Sequence, residues 1–408
     1  MEFKHAKLDN GLNVVAEVNP AAASLAVGFF ARTGSRDETP EVSGVSHFLE
    51  HMVFKGTPRR SPAAVNLEFD EMGARYNAST SYESTIYYGE VLPEFQSRLV
   101  DLLSDIMRPS LRQEDFDVEK NVILEEIALY EDQPKFRTYD NLMSEFFGEH
   151  PLGNRILGTP ESIRAMKRDD MQAYFDRRYS PGNVTAVGVG SLDFDAFVAD
   201  VRRACSAWTP FGAERDTPPT PRRQSKRDIR DEKLVRQHVG LMSPAPPVQD
   251  DARFAAQVLG TILGDETGSR LYYALVEPAI ADEAVTMYDP LDHAGGFITF
   301  VSADPDNAAR AVEIVEAEYR RFMDEGPTNA ELDAAKNKIA TGATLRGEVP
   351  MGRLGAVGMD WVYRGEYVPL REQIERMLAV TRGDVMAVAG EYDLRAMTRV
   401  SLGPRESL

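Results

Sequence analysis

The chain has 408 residues, 43% of them hydrophobic and 27% charged, the profile of a globular protein long enough for two or more domains. Acidic side chains outnumber basic ones 65 to 46, and the net charge of −19 argues against nucleic acid as the main partner. Cys205 is the single cysteine, so neither an intrachain disulfide nor a cysteine-built zinc centre can form, and any metal has to be held by histidines and carboxylates.

The first ten residues lack the apolar stretch of a secretory signal, and no apolar run is long enough to span a bilayer. The expected location is cytoplasmic, with no membrane partner. Apolar alternation predicts strands over residues 11–18 and 24–31, followed by a Gly/Asp/Pro loop and a helix carrying His47-Phe48-Leu49-Glu50-His51. Next come a helix over 63–72, strands over 74–79 and 84–91, and helices over 94–107 and 113–130. A helix over 168–179, a strand over 184–190 and a helix over 193–205 close the first half.

Pro210, Pro218, Pro219 and Pro221 then fall among charged residues with no apolar period, which reads as an exposed linker. The expected organisation is a first domain over 1–210, a linker over 211–228 and a second domain over 229–408. The second half repeats the order of the first: a strand over 235–242, a helix over 252–263, a strand over 296–302, and helices over 306–325 and 329–342. Each half mixes a largely antiparallel sheet with helices, so the predicted class is α+β with two structurally similar domains.

On a helix, His47 and His51 lie one turn apart on one side and can share a metal ion. Glu50 sits beside them, able to take a proton from a metal-bound water without being a ligand, as in an inverted zinc-protease motif. Zinc at such a site needs a third protein ligand and an open position. The equivalent helix of the second half reads Ala252-Arg253-Phe254-Ala255, so the chemistry belongs to the first. The third ligand is sought in the segment 119–127, where Glu119 and Glu126 share a helix face with Val122, Ile123 and Tyr130. Periodicity alone does not choose Glu126 over Glu125, whose face carries Val118, Val122 and Leu129. His150, His238 and His293 have no spacing that ties them to the motif, the glycines between Gly352 and Gly358 read as turns or close packing, and Cys205 reads as a packing residue near a helix end.

The run from His47 to Thr57, followed by carboxylates at Glu119 and Glu126, closely resembles the M16 metallopeptidases. The resemblance extends through Gly73-Ala74-Arg75-Tyr76-Asn77-Ala78-Ser79-Thr80, residues 152–158 and Tyr179-Ser180-Pro181-Gly182-Asn183, and more loosely to Gly268-Ser269-Arg270-Leu271. It implies Zn2+ bound by His47, His51 and Glu126, with Glu50 as the base and Glu119 as a second carboxylate supporting the site. It further implies that Asn77 and Ala78 grip the substrate backbone beside an exposed strand edge. The length resembles the short two-domain branch, in which two chains pair into a clam-like chamber. The implied function is therefore zinc-dependent endopeptidase action on unfolded peptides, in a homodimer or in a heterodimer with another chain of the family. One position pair departs from the pattern: where active members carry an Arg and, seven residues on, a Tyr, this chain has Val276 and Glu283. That departure implies either a partner that supplies the pair or a weak or unusual activity, and it leaves a non-catalytic or partner-dependent subunit as the rival reading.

Overall fold

A computed structural model describes residues 1–220 and 223–408; Pro221, one of the linker prolines, lies outside the described residues. The chain opens with strands β1 (Glu2–Lys7), β2 (Asn13–Val18) and β3 (Leu25–Ala31), then helices α1 (Val45–Val53) and α2 (Pro62–Glu71) and the hairpin β4 (Arg75–Thr80) and β5 (Thr85–Val91). Helices α3 (Gln96–Ile106), α4 (Gln113–Glu131), α5 (Pro134–Phe147), α6 (Pro160–Ala165) and α7 (Arg168–Arg178) lead to β6 (Val184–Gly190) and α8 (Phe194–Cys205). The rest comprises β7 (Lys226–Arg230), β8 (Gln237–Pro244), α9 (Arg253–Gly264), β9 (Glu283–Leu291) and β10 (Ala294–Ala303), then α10 (Ala308–Glu325), α11 (Asn329–Gly347) and α12 (Pro350–Arg364). Helices α13 (Leu370–Ala379) and α14 (Arg382–Glu391) and strand β11 (Thr398–Gly403) complete it.

Among the described residues these strands form two sheets, ordered β1-β2-β6-β3-β5-β4 and β7-β11-β8-β10-β9. In the first, β2 and β6 run parallel and the pairs β6–β3, β3–β5 and β5–β4 are antiparallel. In the second, β7 and β11 run parallel and β11–β8, β8–β10 and β10–β9 are antiparallel. The two orders match strand for strand, with β1 an addition at the edge of the first, so the fold is α+β and duplicated. Helix α1 between β3 and β4 corresponds to α9 between β8 and β9.

The two compact units interleave along the chain. One comprises Met1–Ala128, Asn154–Asp216 and Thr344–Val368; the other comprises Leu129–Gly153, Thr217–Ala343 and Pro369–Leu408. In the first unit every residue of β3 is buried, because its sheet is covered on both faces. On one face Ala26 and Phe30 join Val15, Val187 and Val189 against Leu354 and Val357 of α12. Gly358 lies inside that helix, not in a turn, and a Cβ there would meet the Phe30 ring at 2.3 Å, so its close packing depends on glycine. On the opposite face Leu99 of α3 fits over Gly89 and Phe197 of α8 over Gly188. Side chains of this size contribute about 1.5–3 kcal/mol each when removed from water.

In the second unit Val239, Leu241, Phe297 and Val301 of the sheet share a core with Val258, Leu259 and Ile262 of α9 and Val312, Val315 and Tyr319 of α10. Leu142 and Thr138 of α5 close on Gly240 of the same sheet. The stretch read as an exposed linker is tied down over its first part, in the first unit. Arg178 donates to the carbonyls of Ala213 and Glu214, and the buried Arg215 pairs with Asp37. Among the described residues no helix is long and apolar enough to cross a membrane.

Candidate metal centre

The site starts from how α1 is held. Its N-terminal backbone donors are met by Glu38, whose carboxylate accepts from the N–H of Gly44 at 2.7 Å and of Ser46 at 2.8 Å. Burial pushes the Glu38 carboxyl up to about 8, against the pull of those two donors. Val45, Phe48, Leu49, Met52 and Val53 bury the apolar side of α1, which leaves His47, Glu50 and His51 on the remaining arc. Phe48 stacks on Phe116 of α4 with ring centroids 4.6 Å apart, setting α4 alongside α1.

On α4 the inward face is Phe116, Glu119, Ile123 and Ile127. Val118, Val122 and Leu129 are 64%, 41% and 60% exposed, so the face that Glu125 shares with them points to solvent. Glu126 instead brings Oε2 to 3.3 Å from His51 Nε2 and 3.6 Å from His47 Nε2. One ligand atom from each of His47, His51 and Glu126 lies within 4.8 Å of the others. Atoms bound tetrahedrally to zinc at ~2.0–2.1 Å are ~3.3–3.5 Å apart; the His51–Glu126 separation falls in that range and the His47–Glu126 separation is slightly longer. Two imidazoles and a carboxylate are a donor set zinc accepts, and the residues present therefore fit the ion.

Burial and neighbouring charge set the protonation of these groups. Burial draws His47 down to about 4, which keeps the imidazole neutral with a lone pair to offer. His51 Nδ1 lies 2.9 Å from Glu119 Oε1, and Lys55 Nζ lies 2.5 Å from Glu119 Oε2. An ionised carboxylate only accepts, so Nδ1 carries the proton and Nε2 faces Glu126. Burial opposes charge on both His51 and Glu119. Without a metal, the Glu119 and Glu126 carboxylates outweigh it and hold His51 at about 9, while His51 and Lys55 hold Glu119 below its ordinary value. The His51 hydrogen bond likewise keeps Glu126 low.

Glu50 is half-buried, and burial raises its carboxyl. Its Oε2 accepts the hydroxyl of Thr80 at 2.5 Å. Thr80 ends β4, the edge strand of the first sheet, on which Asn77 is exposed and Ala78 buried. The Ala78 N–H donates to Asn77 Oδ1 at 2.9 Å. The structure thus brings His47, Glu50, His51, Glu119 and Glu126 together, with Asn77 and Ala78 on the strand that reaches Glu50. Sequence reasoning missed Lys55 and Thr80. Lys55 had a usable signal, one helical turn beyond His51; Thr80 had none, since its partner is 30 residues away on another element.

Elsewhere, Val276 ends the short turn Tyr272–Val276 and packs on the core of the second unit. Glu283 opens β9 and pairs with Lys135 at 2.5 Å. His150 is engaged structurally, through Pro218 O and the Leu152 N–H, and Cys205 is buried.

A duplicated α+β fold with an HxxEH helix and a carboxylate from a following helix defines an inverted zinc-protease architecture. The chain matches the model of Insulinase (Peptidase family M16) over residues 13–160 and that of the Peptidase M16 inactive domain over residues 165–339. It belongs to the M16 family of zinc metallopeptidases. An uncharacterized zinc protease of Streptomyces coelicolor is 31% identical, across 97% of this chain and 88% of the relative. One from Bacillus subtilis is 31% identical, across 95% of each. Among solved structures, a protease from Helicobacter pylori superposes with a TM-score of 0.92 at 22% identity, covering 99% of both chains. A peptidase M16 inactive domain from Pseudomonas fluorescens gives 0.91 at 19% identity, covering 100% of this chain and 99% of the other, and both likenesses are of fold.

Proposed function

We propose that the chain is a zinc-dependent endopeptidase of unfolded peptides, with His47, His51 and Glu126 as metal ligands and Glu50 as general base. The observation that carries this reading is the convergence of the three ligand atoms within 4.8 Å beside Glu50 on the same helix. Zinc at this site supplies an acidified water and polarises the scissile carbonyl. Glu50 has Oε2 engaged by Thr80, so Oε1 is the atom that takes the proton and later returns it to the leaving amine. Glu119 fixes the His51 ring, and Lys55 balances the Glu119 charge. The edge of β4 around Asn77 and Ala78 offers backbone groups to an extended peptide, a mode with little demand on sequence. Two chains, identical or not, enclose the peptide in a chamber. Zinc analysis paired with digestion of an unstructured peptide tests this: Glu50→Gln is expected to keep its zinc and lose about 10²–10⁴-fold in kcat. Undiminished hydrolysis in that variant overturns the mechanism.

A second reading has one observation in its favour. With Val276 and Glu283 where the active pattern has Arg and Tyr, a stabiliser of the tetrahedral intermediate is missing, an omission worth on the order of 100-fold or more in rate. In that case the chain contributes the zinc half of a heterodimer, and hydrolysis appears only on mixing with a homologous chain.

A further inference from the structure

Glu50 is supplied by α1, but its carboxylate is gripped from the edge strand. Oε2 accepts the Thr80 hydroxyl at 2.5 Å. The register sets how Thr80 is presented. Ser81 donates its N–H to Ser84 O at 2.8 Å, and antiparallel pairs alternate between bonded and unbonded, so the next pair, Thr80 with Thr85, is unbonded. The backbone groups of Thr80 therefore face away from β5, toward the open edge of the sheet.

The support behind Thr80 is firm. Ser35 and Arg36 donate their N–H groups to Ser81 O at 3.3 Å and Tyr82 O at 2.9 Å. Glu83, in the same turn, forms a buried ion pair with Arg36 and accepts the Tyr363 hydroxyl at 2.9 Å. A hairpin held at its tip on several sides presents Thr80 with little freedom.

We propose that Thr80 is the positioning residue for Glu50, tying the orientation of the base to the edge strand. The proposal rests on the reading of Glu50 as general base.

The test uses the full chain with zinc, an internally quenched unstructured peptide, and the variants Thr80→Val, Thr80→Ser and Glu50→Gln. Thr80→Val is expected to keep its zinc stoichiometry, far-ultraviolet circular dichroism and KM, and to lose about 10- to 100-fold in kcat. Thr80→Ser, which restores the hydroxyl, is expected to recover most of that loss. A second readout needs neither metal nor turnover: in zinc-free protein, Thr80→Val and Glu50→Ala are expected to shift the urea midpoint non-additively. Wild-type kcat in Thr80→Val, or additive midpoint shifts, overturns the proposal. Hydrolysis surviving in Glu50→Gln overturns the general-base reading instead, so the two failures are distinguishable.

Discussion

Arg353 grips Glu17 with two hydrogen bonds, Nε to Oε1 at 2.9 Å and Nη2 to Oε2 at 2.5 Å, although 336 residues separate them. The Tyr367 hydroxyl adds a third to Oε2 at 2.7 Å, and the Arg353 and Glu17 side chains are only 4% and 1% exposed. This pair locks α12 to β2 within the first unit. Removing one partner leaves a buried charge uncompensated, so Arg353→Met and Glu17→Leu are each expected to lose about 3–5 kcal/mol. The double variant is expected to recover most of it, and urea unfolding of the three proteins measures both effects.

The two neighbouring carboxylates of α4 are expected to behave oppositely. Glu126 faces the imidazoles, whereas Glu125 shares the exposed face of Val118 and Leu129. Competition with a chelator is expected to find zinc affinity unchanged in Glu125→Gln. In Glu126→Gln it is expected to fall by more than the roughly 100-fold typical of an outer partner.

Glu119 orients His51 without reaching the metal position itself. Glu119→Gln can still accept from Nδ1 but loses the charge that supports the imidazole and pairs with Lys55. Zinc affinity is expected to drop about 10- to 100-fold, with the fold intact by circular dichroism.

Glu38 makes stability depend on pH in an unusual direction for a carboxylate. Its folded value of about 8 lies above the ordinary 4.5, so between those limits the folded protein binds more proton than the unfolded chain. The contribution is full below the ordinary value and is lost as pH rises through the folded one, amounting to a few kcal/mol. The zinc-free protein is expected to lose melting temperature from pH 5 to 8 relative to Glu38→Gln, which has nothing to ionise there.

The metal cluster was largely legible because a helix fixes the angular offset of His47, Glu50 and His51, and that offset is written in their spacing. Periodicity left Glu126 and Glu125 open; the family resemblance chose Glu126, which lies next to the inward face of Ile123 and Ile127. Strands with strong alternation or continuous apolar runs, such as β3 and β6, were also readable. β1, with its exposed Glu2 and Lys7, and β9, which carries Asp289 and Pro290, lack such a pattern and emerge only through pairing with β2 and β10. Least legible was the exchange of segments. Nothing in residues 134–147 or 350–364 announces that each completes the compact unit built mostly from the other half of the sequence.

That exchange bears on synthesis. The sheet face formed by Val15, Phe30, Val187 and Val189 is waiting as soon as β6 has left the ribosome, but the helix carrying Leu354 and Val357 lies far downstream. At ~5–20 residues per second the intervening stretch takes roughly ten to thirty seconds to make. During that interval a nascent chain offers an uncovered apolar sheet, a surface suited to chaperones and prone to premature association. A ribosome-bound intermediate stalled before Pro350 is where that exposure is greatest.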